Sequence, residues 1–94
     1  MKLRDDIVLK RIDGVYVLIA LKSAWDDCPF AIQIAPFAAL IWQNMKSGRT
    51  ESEIINELME VKGFDKEKSE KLFRGFIKAA ENYHYFTYGN EHDG

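Results

Sequence analysis

The side chains able to act as nucleophile, proton carrier or metal ligand are few in this chain: one cysteine, Cys28, two histidines, His84 and His92, and the adjacent carboxylates Asp26 and Asp27. Cys28 sits in Asp26-Asp27-Cys28-Pro29, where two carboxylates oppose a thiolate and no neighbouring Lys, Arg or His favours one, so the residue suits packing rather than attack. A lone cysteine makes no internal disulfide and fits a reducing compartment. The histidines have no cysteine at metal-ligand spacing. Asp26-Asp27 lacks the alternating oxygens and the following glycine of a calcium loop. Glycines occur singly, so no phosphate cradle is suggested. The expectation is a protein without catalytic residues, metal or cofactor.

A chain of 94 residues has room for one domain. Its apolar fraction of 47% and charged fraction of 30% are those of a globular protein. The net charge is −2, whereas proteins that hold a duplex by its phosphates usually carry a basic excess. The start, Met1-Lys2-Leu3-Arg4-Asp5-Asp6, carries acidic charges where a signal peptide needs a basic and then an apolar stretch. The longest nearly uncharged run, Val15 to Leu21, is seven residues, against roughly 20 needed to span a bilayer. A cytoplasmic protein with no membrane segment is expected.

The elements that would position a site change character at Pro36. Before it, Ile7–Ile12 and Val15–Leu21 flank Asp13-Gly14, the pair favoured in a tight hairpin turn. The second run is apolar at odd and even positions, as in a central strand. Lys22 to Pro29 reads as a polar loop, and Phe30-Ala31-Ile32-Gln33-Ile34 as a half-buried strand with Phe30, Ile32 and Ile34 inward. After Pro36 the period is helical. Phe37, Leu40, Ile41 and Met45 share a face of a helix over 36–46 that Ser47-Gly48 closes. Thr50 and Glu53 form a capping box for a helix over 50–61, ended by Gly63. Asp65 caps a third helix over 65–82. Residues 1–88 form the domain, with an aromatic end that adds a strand or packs as coil, and 89–94 fray. Strands before helices imply an α+β fold.

The third helix has a wide apolar arc. At about 100° per residue, Leu72, Phe76, Ala79, Ala80 and Tyr83 make a normal core stripe, and Phe73 and Ile77 extend it. Either the tail or the first helix covers those two, or they line a groove with Lys66, Glu70 and Arg74 as its polar rim and Lys71 on the opposite side. The third strand has neither Lys nor Pro to blunt its edge. An extended peptide can add there, its side chains dropping toward Phe73 and Ile77. The rival reading is a helix-turn-helix. Its last helix offers Lys66, Lys68, Lys71, Arg74 and Lys78 against Asp65, Glu67, Glu70 and Glu81, a near balance that fits a solvated face better than a duplex.

The ordered set of hairpin, strand, Ala38-Ala39-Leu40-Ile41-Trp42, the Ser47-Gly48-Arg49-Thr50 loop and Glu53-Ile54 resembles the PqqD-like proteins. These are named for a pyrroloquinoline quinone synthesis protein and are also called RiPP precursor peptide recognition elements. The resemblance runs from about Ile7 to Phe86. It departs from the family at Ala35-Pro36, where Asn or Ser commonly precedes the first helix. It implies a winged-helix-like fold, an N-terminal three-stranded antiparallel sheet packed on three α-helices, without DNA binding. It also implies a partner: the leader segment of a ribosomally made precursor peptide, presented to a modifying enzyme, often a radical SAM enzyme. The leader would lie on Phe30, Ala31, Ile32, Gln33 and Ile34 and beside the third helix, where Lys66, Glu70, Phe73, Arg74 and Ile77 are the expected contacts. The runner-up is a winged-helix nucleic-acid-binding or regulatory domain. A structural accessory subunit is a third class.

Overall fold

A computed structural model describes residues 2–87; Met1, Tyr88, His92 and the tail expected to fray lie outside the described residues. The element order is β1 (Lys2–Leu3), β2 (Ile7–Ile12), β3 (Val15–Ala20), a 3-10 turn (Lys22–Ala24), β4 (Ala31–Ile34), α1 (Pro36–Lys46), α2 (Glu51–Lys62), α3 (Lys66–Asn82) and β5 (Phe86–Thr87). The fold is α+β. The main sheet is antiparallel in the order β2-β3-β4, so the apolar β3 is central as its composition demands.

Local chemistry accounts for the boundaries. Asp13 (φ 51°) and Gly14 (φ 83°) both take the left-handed backbone that a two-residue hairpin turn requires. Ala35 is extended and offers α1 no side-chain cap, but Pro36 at the first helical position has no N–H to satisfy. Thr50 and Glu53 cap α2 reciprocally, at 3.2 Å and 2.8 Å, and Asp65 accepts from the Lys68 N–H at 2.8 Å to open α3. Gly63 ends α2 at φ 72°.

The core has two parts. Ile7, Leu18 and Ala20 on one face of the sheet pack with Trp42, Ala80, Tyr85 and Phe86. Ile41, Ile54, Ile55, Leu58 and Phe73 form the second cluster among the three helices. Helix α1 joins them, since Ile41 and Trp42 are adjacent and project to different clusters. Phe73 is only 7% exposed. Instead of standing in the open groove expected of it, its ring packs against α1 and α2 and only borders an open depression that it shares with Arg74 and Ile77. Phe30 departs from expectation too. It lies just before β4, is 64% exposed and rests on Trp25 at 5.6 Å between ring centroids rather than entering the core.

A 3-10 turn goes beyond the expected elements, and the aromatic end takes the strand alternative with a partner that was not expected. The supposed polar loop contains a 3-10 turn that buries Ala24 completely. The aromatic end also pairs, with Lys2 opposite Thr87 and Leu3 opposite Phe86. Among the described residues no helix is long and apolar enough to cross a membrane.

Candidate functional site

Strand β4 is bonded to β3 on one side, and among the described residues nothing pairs with its other side. The register says which groups that edge offers. Ala20 N–H donates to Phe30 C=O at 2.9 Å, so Ala20 and Phe30 are a hydrogen-bonded pair. Alternation along an antiparallel ladder then turns the N–H and C=O of Ile32 and Ile34 toward β3. Those of Ala31 and Gln33 face outward. An exposed strand edge of this kind templates another strand.

Beside that edge lies a groove of about 240 Å³. Its sheet wall is Leu18, Ile32 and Ile34, and Phe37 and Ala38 of α1 close one part of it. The helix wall is Leu72, Gly75, Phe76 and Ala79, with Lys71 at the rim. Small residues keep it open. A Cβ added at Gly75 would meet nothing within 4 Å. Edge and groove together present backbone hydrogen bonds and an apolar trough side by side, the two requirements of β-strand addition.

Tyr83 and Tyr85 form the wall at the end of α3. Tyr85 stands edge-on to Trp42 at 5.6 Å, and burial pushes its phenol up to about 12. This end is held from a distance in sequence. Arg4 N–H donates to Tyr85 C=O at 2.9 Å, and the Arg4 guanidinium pairs with Asp6 at 2.9 Å and with Asp27 at 3.3 Å. The guanidinium holds Asp6 at about 2, below its ordinary 3.8. Cys28 donates to His84 C=O at 3.4 Å, and burial raises its thiol pKa. Burial outweighs the nearby Arg4 guanidinium, which acts in the opposite direction, so the thiol stays protonated and the cysteine packs and tethers.

Of the residues expected at the site, Ile32 and Ile34 line the groove and Ala31 and Gln33 supply its edge. Phe73, Arg74 and Ile77 do not. They face a separate shallow depression with Met45, Glu51, Lys78 and Glu81. Glu70 pairs with Arg74 at 3.7 Å, and neither it nor Lys66 lines the groove. The half of the arc that the helical period places in the core, Leu72, Phe76 and Tyr83, is the half that faces β4. Lys71, expected on the far side, stands at the rim. The signal that would have found this is Gly75, a glycine inside a helix on the side of Leu72 and Ala79. Arg4 gave no sequence signal.

No protein-family model matches the chain, and no curated protein sequence matches it. Solved structures do. One, described as TbiB1 in complex with the TbiA(beta) leader peptide, superposes with a TM-score of 0.72 at 24% identity, covering 90% of this chain and 93% of that one. A second, described as lasso peptide synthetase B1 complexed with the leader peptide, gives 0.69 at 20% identity, over 85% and 88% of the two chains. This chain has their fold over nearly its whole length, and the PqqD-like fold expected from the sequence is consistent with that.

Proposed function

We propose that this protein is a non-catalytic adaptor that binds the leader segment of a ribosomally synthesised precursor peptide as an added strand on β4 and presents it to a modifying enzyme in the cytoplasm. The observation that carries the reading is the outward-facing pair Ala31 and Gln33 directly beside the apolar groove of β4 and α3. Both fold neighbours are described with a leader peptide bound, which supports the same reading. The resemblance to PqqD-like proteins names a radical SAM enzyme as partner, while one neighbour's description names a lasso peptide synthetase. We take the partner to be a peptide-modifying enzyme of the latter kind.

The test is calorimetric titration with synthetic leader segments of short peptides encoded beside the gene, on the wild type and on Gln33→Pro. Proline removes an N–H that faces the free edge and leaves the bonds to β3 intact. Saturable binding that Gln33→Pro weakens at least tenfold supports strand addition. Affinity should fall only modestly between ~50 and ~200 mM salt, whereas a duplex held by 6–10 phosphates would lose roughly 10³–10⁵-fold. Retention of a DNA duplex at physiological salt, or peptide binding indifferent to Gln33→Pro, would overturn the proposal.

A further inference from the structure

Lys71 is the one charged side chain among the residues that line the groove, and it stands at an end. The hydrogen bond from the Cys28 thiol to the His84 carbonyl ties the residues just past α3 to the loop that leads into β4. Lys71 lies twelve residues earlier than Tyr83, about 18 Å along the helix, and so stands where Ile34 leaves the sheet for α1. It is exposed, and among the described residues no carboxylate pairs with it. Its neighbours on α3 are engaged: Arg74 with Glu70 at 3.7 Å, and Lys68 over the Phe64 ring at 4.4 Å. No Asp or Glu lines the groove to compete for it. A lysine so placed lays its methylenes along the apolar wall and leaves the ammonium at the mouth.

An occupant strand has its own spacing. Ile32 and Ile34 lie on the groove side of β4, so side chains entering beside them come from positions i and i+2 of the peptide. About 18 Å of groove accommodates roughly five or six extended residues. We propose that Lys71 determines specificity, selecting a segment that carries Asp or Glu next to an alternating apolar pair, with the carboxylate at the Ile34 end. The inference rests on the peptide-binding reading above and narrows it to one chemical class of ligand.

Selection from a phage library of random short peptides, on the full chain and on Lys71→Glu, tests it. Lys71 is exposed, so both proteins should melt alike, and this is checked first. The wild type should enrich peptides with an acidic residue flanking an apolar i, i+2 pair. Lys71→Glu should bind those peptides about five- to tenfold more weakly at ~50 mM salt and by a smaller factor at ~500 mM. Replacing the peptide's acid by lysine should reverse the preference between the two proteins. The end at which the acid is required also reports the polarity of the added strand. Peptides that need the β4 edge, shown by loss on Gln33→Pro, yet bind wild type and Lys71→Glu equally would overturn the role of Lys71 and leave the peptide site standing. If no selected peptide is sensitive to Gln33→Pro, the site itself is wrong.

Discussion

On its α2 side, α3 places Phe73 among Ile41, Ile54, Ile55 and Leu58, and Ile77 packs beside them. On its β4 side, Leu72 belongs to neither buried cluster and stays half-buried at an open groove. Both sides carry large apolar residues in similar number, so composition does not distinguish them. What differs is whether the rest of the chain supplies the covering surface. On the α2 side a capped helix covers the Phe73 ring, and only a depression at Arg74 and Ile77 stays open. The β4 side stays open among the described residues, and on the peptide-binding reading it is covered by the bound strand.

Truncation should separate the sides, and the largest effect is on the covered one. Phe73→Ala should lower stability by about 3–5 kcal/mol, because the cavity is walled by the fixed side chains of two other helices. Chemical denaturation reads this directly. A loss below ~1 kcal/mol would mean that the α2 side is as open as the other.

Leu72→Ala is the counterpart. Little native packing is lost, so stability should drop by ~1 kcal/mol or less, while peptide affinity should fall roughly five- to thirtyfold as an anchor surface disappears. Titration beside a melting curve checks both numbers. Equal binding by Leu72→Ala and wild type would place the occupant's side chains outside the groove.

The end wall of the groove can be loosened by acid. Asp6 has its folded pKa depressed to about 2 from 3.8 by the Arg4 guanidinium. Its contribution is therefore fully present above the ordinary carboxylate value and is lost as pH falls through the folded value. Stability should decline between about pH 4 and pH 2. Both side chains are about a fifth exposed, and after allowance for solvent screening the step is about 1 kcal/mol. Asp6→Asn should lack that step, and an unchanged profile would remove Arg4–Asp6 as a clamp on the Tyr85 wall.

The same contrast explains what was legible in the sequence. Hairpin, caps and helices were readable because each is written locally: Asp13-Gly14 in two residues, Thr50 with Glu53 in four, Pro36 in one. Strand β4 and its free edge were readable for the same reason, from alternation and the lack of Lys or Pro. The side of α3 that meets β4 was not. A helical period fixes which residues share a face, but only the tertiary position of α2 decides whether the Phe73 side or the Leu72 side is covered. The β1–β5 pairing was hidden likewise, since two residues on each strand carry no period at all. The sequence therefore pointed to the two elements that flank the groove, but to the Phe73 face of α3 rather than the Leu72 face that lines it.

Gly75 gives the smallest predicted effect and the sharpest one in sign. A glycine inside a helix is destabilising by roughly 0.5–1 kcal/mol relative to alanine. Here it sits in a seventeen-residue helix, and a Cβ at its position meets no atom within 4 Å. Packing in the free protein therefore does not require it. The room in front of it is groove, and on the peptide-binding reading that room is filled only when the strand is bound. Gly75→Ala should accordingly raise stability by ~0.5–1 kcal/mol while weakening the peptide severalfold, and Gly75→Leu should weaken it further without unfolding the protein. Paired melting and titration measurements give both signs in one variant. If Gly75→Ala were stabilising and bound peptide as well as wild type, no ligand backbone or side chain would approach this turn of α3, and the occupied part of the groove would be confined to the Phe76–Tyr83 end.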